Sequence, residues 1–274
     1  MNIVLTLTTI PSRLINQYNY DLEYCIKSLM EQNHDNYQIH FNIPNSHNQT
    51  GEEYILPDWL VELNESTDKL NVFRTEDYGP ITKLLPTIQR IDDSETIIIV
   101  VDDDIIYNPE MINEHLKNRE KWPDFPVGYD GLTSINDDGS RRMTFGNNRD
   151  YFFSANGIYS YVEIIQHYKS VSYKRSMFGD DFFKFIEDNG VWCDDTTVSA
   201  YFAMNRVPRV VTFFEGDEVA ETFEDWLNVV GVSFPVIKST EHDTMEGCQI
   251  FRQDDKDIEK FNKLNHFLAM GYVQ

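Results

Sequence analysis

Three consecutive carboxylates, Asp102, Asp103 and Asp104, interrupt the most apolar run of the chain, IIIVVDDDIIY at 97–107. A strand alternates its side chains between faces, so Asp102 and Asp104 share a side and Asp103 turns away. Carboxylates at the carboxyl end of a buried strand lie where open α/β sheets bind ligands, and oxygen ligands of this kind suit a hard divalent cation. A polar loop or helix cap also uses Asp, but three in a row at the exit of a buried strand exceed what a cap requires. A second pair, Asp194 and Asp195, stands in VWCDDTTVSAYF at 191–202, just before a helical pattern. There a carboxylate can cap the helix, accept a proton as a general base, or do both. A third pair, Asp180 and Asp181 in FGDDFF, reads as a turn and helix cap or as part of a pocket. If the substrate is a phosphate, so acidic a chain must supply positive charge from a few local Lys or Arg, or from a bound cation. The lone ammonium of Lys83 suits a diphosphate, or it is a solvated helix lysine. Arg13 follows the Pro11 turn, where it could equally be a surface residue.

These groups need a scaffold, and the first hundred residues supply one. Segments 2–9, 37–43, 70–74 and 96–102 read as strands, and 21–32, 57–64 and 81–91 read as helices, with Pro86 a kink or early break in the last. Alternating strands and helices predict an α/β layer with a mostly parallel central sheet flanked by helices. Further on, helical patterns are expected at 109–120, 179–188, 195–205 and 254–270, and a strand at 207–214. Residues 126–161 carry short strand-like pieces, and DYFFSANGIYSY at 150–161 offers rings and amides for sugar stacking, or simply core aromatics. No repeat or linker interrupts the chain. The expectation is a single domain over 1–274, with a ligand-binding half at 1–107 and a less regular half at 108–274.

Composition narrows the classes. The 274 residues are 41% hydrophobic and 14% aromatic, enough for a packed core. A formal net charge of -23 repels nucleic acid and anionic lipid. Cys25, Cys193 and Cys248 form no paired motif, so neither a zinc knuckle nor a disulfide framework is expected. No apolar run reaches the roughly 20 residues of a membrane helix. The N-terminus lacks the plan of a signal peptide. A soluble, cytoplasmic protein is expected, in the host cytoplasm if it is viral.

Taken in order, LTLTTIPSR at 5–13, EDYGPITKLLPTI at 76–88 and the Asp-x-Asp strand end resemble nucleotide-sugar glycosyltransferases of the GT-A, Rossmann-like fold with a DXD motif. The similarity extends to a subset that includes capsule, surface-glycan and large-virus enzymes. It implies an enzyme moving a sugar from a nucleotide-sugar donor, UDP-sugar before GDP-sugar, to a glycan hydroxyl with inversion. It implies Mn2+ or Mg2+ on Asp104, with Asp102 at the ribose or the ion's hydration, and Asp103 carried with the motif on the donor side. Thr8, Pro11 and Arg13 would border base and ribose, and Tyr78, Gly79 and Lys83 would lie near the diphosphate. Asp195, or Asp194 after it, would be the base, and His242, with His266 behind it, a further metal ligand.

Two other classes share parts of this pattern. A haloacid-dehalogenase-type phosphohydrolase also uses a strand ending in Asp-x-Asp, normally in its first strand and followed by Thr or Val. Here the motif lies about a hundred residues in and precedes Ile105 and Ile106. A non-catalytic glycan- or nucleotide-binding protein on the same fold is the other alternative, although it would have no need of intact acidic clusters.

Overall fold

The computed structural model describes residues 2–15, 22–135, 141–143, 152–154, 157–191 and 193–212. Its first half alternates as the apolar patterning requires. β1 (Ile3–Leu7) leads through a short turn, α1 (Pro11–Leu14), to α2 (Leu22–Met30) and β2 (Gln38–Pro44). Then come α3 (Asp58–Ser66), β3 (Leu70–Thr75), a 3₁₀ turn (Gly79–Lys83), α4 (Leu85–Arg90) and β4 (Ile97–Val100). Pro86 falls in the first turn of α4, where its missing N–H costs nothing, so it starts this helix rather than kinking it.

The second half contributes α5 (Met111–Lys121), β5 (Val127–Gly128), β6 (Gly131–Ile135), β7 (Arg141–Met143), β8 (Phe152–Ser154), β9 (Gly157–Val162) and β10 (Ile164–Ile165). A 3₁₀ turn (His167–Lys169) precedes β11 (Val171–Lys174). A second (Arg175–Met177) precedes α6 (Asp180–Asn189), α7 (Asp194–Met204) and β12 (Arg209–Thr212). The expected helix at 254–270, together with His242, His266 and Cys248, lies outside the described residues.

The main sheet runs β3-β2-β1-β4-β11-β5-β12-β9-β8, and β10-β6-β7 form a smaller one. All four strands of the first half are parallel. β11 was not anticipated from the sequence; it inserts antiparallel between β4 and β5, with Val171 opposite Val100. β4 is buried on both faces, which explains its unbroken aliphatic run. Ile97 and Ile99 pack with α2 and β1, while Ile98 and Val100 pack with Ile81, Leu84, Phe178 and Phe202 on the other side.

Strand order reverses between β1 and β4, because β2 and β3 are added on one side of β1 and β4 on the other. Such a switch point opens a crevice at the carboxyl ends of the strands. A buried polar knot closes its floor. Asn42 Nδ2 donates to Thr6 Oγ1 at 3.1 Å, to Thr87 Oγ1 at 2.9 Å and to the Lys83 carbonyl at 3.2 Å. Thr6 also donates to that carbonyl, and Arg90 donates to Asn42 Oδ1 while its guanidinium lies 3.9 Å from the Phe73 ring centroid. Lys83 is thereby fixed from below. Replacing Asn42 with Leu leaves buried groups unsatisfied, and chemical denaturation should show a loss on the order of 2–4 kcal/mol.

Candidate active site

β4 ends at Val100, so the alternation expected through Asp104 stops short of the acidic run. Asp102–Asp104 instead form a turn. The Asp102 N–H donates to Tyr107 Oη at 2.8 Å. The apolar run resumes because Ile105 and Tyr107 return to the core. This overturns the reading of Asp103 as the residue turned away. At 5% exposure it is the buried member, accepting from Thr9 Oγ1 at 2.5 Å and from Arg13. It locks the loop after β1 to the loop after β4 across the switch point.

Arg13 is therefore no surface residue. Besides Asp103, its guanidinium lies 3.7 Å from Asp104 Oδ2. Thr8 Oγ1 donates to the Asn42 carbonyl at 2.7 Å, so its proton is spent within the fold. Pro11 is buried in α1. Tyr78 reaches Glu76 Oε2 at 3.0 Å. Gly79 starts the 3₁₀ turn at φ +68°, a conformation that favours glycine, and its N–H is held by Asp77 Oδ1 at 2.8 Å.

Lys83 decides the architecture of the site. It is not a solvated lysine: its side chain is 11% exposed, and Nζ lies 2.5 Å from Asp102 Oδ1 and 2.8 Å from Asp194 Oδ2. One ammonium thus joins the two acidic groups that the sequence places some ninety residues apart. Burial alone would lower its pKa, but Asp102, Asp194 and Asp195 outweigh that and hold it well above the ordinary lysine value.

Asp194 and Asp195 open α7, yet neither is its cap. Cys193 takes that position, its Sγ accepting from the Thr196 N–H at 3.4 Å, which releases both carboxylates. They meet His167, which the sequence reading missed. His167 Nδ1 is 2.7 Å from Asp194 Oδ2 and 2.8 Å from Asp195 Oδ1, and Nε2 is 2.8 Å from Tyr173 Oη. Burial opposes protonation of His167, but both carboxylates overcome it and raise its pKa to about 9, so the ring is an imidazolium at neutral pH. Asp194 is likewise disfavoured by burial, yet Lys83 and His167 hold its carboxyl below the usual range. Asp195 goes the other way, raised by burial and by its neighbour Asp194. HYK at 167–169 carries no periodic signal; only the antiparallel return of β11, starting opposite the end of β4, brings it to the site.

Behind His167, Lys169 Nζ lies 3.4 Å from Asp130 Oδ2, both fully buried. Burial raises the Asp130 carboxyl above the usual carboxylate range and lowers the Lys169 ammonium below the ordinary lysine value, each only partly offset by the other's charge. Asp180 and Asp181 do not join the site. They lie exposed in the first turn of α6, where Asp181 accepts from Tyr201 Oη at 3.0 Å. Of the aromatic stretch at 150–161, Tyr159 and Tyr161 pack on each other and Tyr159 on Trp122, which is a packing role.

Two positions offer carboxylate oxygens to a cation. The ligand atoms of His167, Asp194 and Asp195 lie within 4.8 Å of one another. Asp194 Oδ2, however, is already committed to two nitrogens, Lys83 Nζ at 2.8 Å and His167 Nδ1 at 2.7 Å. Asp104 differs: its Oδ1 is buried with no hydrogen-bond partner among the described residues. Moreover, five carboxylates (Asp102, Asp103, Asp104, Asp194, Asp195) face three cations (Arg13, Lys83, His167), a formal excess of two negative charges. An orphaned carboxylate oxygen beside a charge deficit of this size fits a divalent ion at the Asp102–Asp104 turn.

No family model and no curated protein matches the sequence. Among solved structures, the chain is similar to Staphylococcus aureus TarS 1-349, with 12% identity and a TM-score of 0.46 over 99% of this chain and 70% of that one. The same protein in complex with UDP-GlcNAc gives 15% identity and a TM-score of 0.44 over 98% and 72%. Francisella tularensis 2-C-methyl-D-erythritol 4-phosphate cytidylyltransferase gives 11% identity and a TM-score of 0.44 over 83% and 96%. No helix among the described residues is long and apolar enough to cross a membrane.

Proposed function

We propose that the protein is a divalent-cation-dependent glycosyltransferase that moves a sugar, with inversion, from a nucleotide-sugar donor to a glycan hydroxyl, UDP-sugars before GDP-sugars. One observation carries the reading: Lys83 binds Asp102 and Asp194 at once, so an acidic turn suited to a cation and a second carboxylate pair belong to one site at the switch point. A diphosphate needs positive charge, and a base must reach the acceptor without facing that diphosphate. This site separates the two tasks across a fixed ammonium.

Arg13 and Thr9 hold the donor-side turn rigid through Asp103. Asp102 and Asp104 would hold Mn2+ or Mg2+, which supplies charge neutralisation to the leaving diphosphate. Lys83 adds a fixed positive charge on the same side and cancels the field of Asp194. Asp195, with the higher proton affinity of the pair and a side chain 23% exposed, accepts the acceptor hydroxyl proton. As it does so, the new bond forms at the anomeric carbon and the bond to the diphosphate breaks.

The phosphohydrolase alternative has less support, because it requires a free carboxylate nucleophile, whereas Asp102 and Asp103 are each tied to a cation. The test is proton NMR of products formed from UDP- and GDP-sugars with Mn2+ and a glycan acceptor panel. The expected outcome is a glycoside or released sugar of opposite anomeric configuration to the donor, lost in Asp104→Ala. A retained configuration refutes inversion. Unchanged turnover in Asp104→Ala sinks the cation assignment.

A further inference from the structure

We infer that His167 is a positioning residue that pins one oxygen of Asp195 and leaves the other, Oδ2, as the proton-accepting atom of the site. The inference rests on the glycosyltransferase reading for its reaction, but its geometry stands apart from it. Asp195 Oδ1 receives the His167 backbone N–H at 2.9 Å and lies 2.8 Å from Nδ1 of the same residue, whose single N–H is shared with Asp194 Oδ2 at 2.7 Å. A backbone donor and an ion pair converging on one oxygen fix the rotation of the carboxylate. Asp195 Oδ2 makes no hydrogen bond among the described residues, and the side chain keeps 23% exposure. Asp194 offers no such opening: its Oδ2 is shared by Lys83 Nζ and His167 Nδ1, and its side chain is 9% exposed.

The pin is itself held from three sides. His167 Nε2 meets Tyr173 Oη at 2.8 Å, and both residues are fully buried, so the ring has one orientation. The Ser170 N–H donates to the His167 carbonyl at 2.9 Å, which closes the 3₁₀ turn. Ser170 adopts φ +112°, a conformation L residues rarely take, and its Oγ lies 2.7 Å from His115 Nε2 of α5. Such a strained residue persists only where its surroundings over-determine it, and here α5 does so directly behind the His167 turn. The Ile165 N–H donates to Ser199 Oγ at 3.0 Å, fixing β10 against α7. The backbone donor and the acidic pair therefore keep their register.

The titratable groups around Asp195 are Asp194 and Cys193 at the start of α7, Lys83 of the first 3₁₀ turn, Tyr173 of β11, and Asp130 with Lys169 on its far side. The step balances simply. The acceptor O–H proton passes to Asp195 Oδ2, the acceptor oxygen bonds the anomeric carbon, and the diphosphate departs with the electron pair of the broken C–O bond.

The experiment is carboxyl 13C NMR on the full chain with labelled Asp, the Asp195 signal being assigned by its loss in Asp195→Asn. In His167→Gln, the Asp195 titration midpoint should rise by at least one pH unit, and in Tyr173→Phe by less than half a unit. Turnover of a UDP-sugar by His167→Gln should lose at least tenfold in kcat with donor KM within twofold, its acid limb moving with the NMR midpoint. An unmoved Asp195 midpoint in folded His167→Gln overturns the inference. If that variant does not fold, wild-type 15N spectra decide: both imidazole nitrogens protonated at pH 7.5 support it, and an unprotonated Nδ1 overturns it. A wild type with the expected midpoints but no turnover of any nucleotide sugar refutes the glycosyltransferase reading and leaves the His167–Asp195 link standing.

Discussion

Asp195→Asn should lose at least a hundredfold in the rate of UDP release from a UDP-sugar, while its thermal midpoint and donor affinity stay close to wild type. Asn keeps the shape of the side chain and an oxygen for the His167 backbone N–H, but it has no carboxylate to take a proton. General base catalysis contributes about 10²–10⁴-fold, and the expected loss falls in that range. Asp194→Asn is the control that gives this result meaning. Asp194 neutralises Lys83 and His167, both buried, so its replacement should cost stability first and activity as a consequence. Urea unfolding and steady-state UDP release on both variants separate the roles. If Asp195→Asn keeps more than a tenth of wild-type kcat, or if Asp194→Asn loses turnover with its unfolding midpoint unchanged, the two assignments are reversed.

Lys83→Met should produce the largest loss of stability of any single change at the site, about 3–5 kcal/mol, as is usual when one partner of a buried ion pair is removed. Met matches the aliphatic stem of this buried side chain in length. What is lost is the charge that lets Asp102 and Asp194 approach one site. Removing it also takes the local excess from two negative charges to three, which should tighten divalent binding. Mn2+ should therefore recover more stability in Lys83→Met than in wild type, while UDP release remains near background. Lys83→Arg should restore little. The slot is shaped for one compact ammonium shared between two carboxylates, and a planar guanidinium presents its donors differently. A Lys83→Met protein within 0.5 kcal/mol of wild type in urea, with Mn2+ affinity unchanged, would mean that the two acidic groups do not depend on this lysine.

The first half of the fold was legible because its strands are continuous apolar runs and its helices carry regular apolar spacing. The second half was less so. β5, β10 and β11 have only two to four residues each, too few to show a period. The candidate site divides along the same line. Asp102, Asp104, Asp194 and Asp195 stood out by residue type and place, since acidic runs at strand and helix ends are visible in one dimension, whereas Lys83 and Arg13 came only with the family resemblance and could equally have been surface residues. Asp103 was misread because the strand stops at Val100 and a turn has no two-residue period. The capping alternative for Asp194 and Asp195 fails because Cys193, an uncommon capping residue, takes that position. His167 was invisible for a different reason. Its role comes from an antiparallel return that pairs Val171 with Val100, a contact across seventy-one residues that leaves no local trace.

Isothermal titration calorimetry of a UDP- and GDP-sugar panel against wild type and Asp104→Ala, each in Mn2+ and in EDTA, is the most direct test. The account predicts that wild type binds at least one nucleotide sugar at least tenfold more tightly with Mn2+ than in EDTA, and that Asp104→Ala erases the difference. Binding of equal strength in EDTA, or an intact Mn2+ effect in Asp104→Ala, would contradict it.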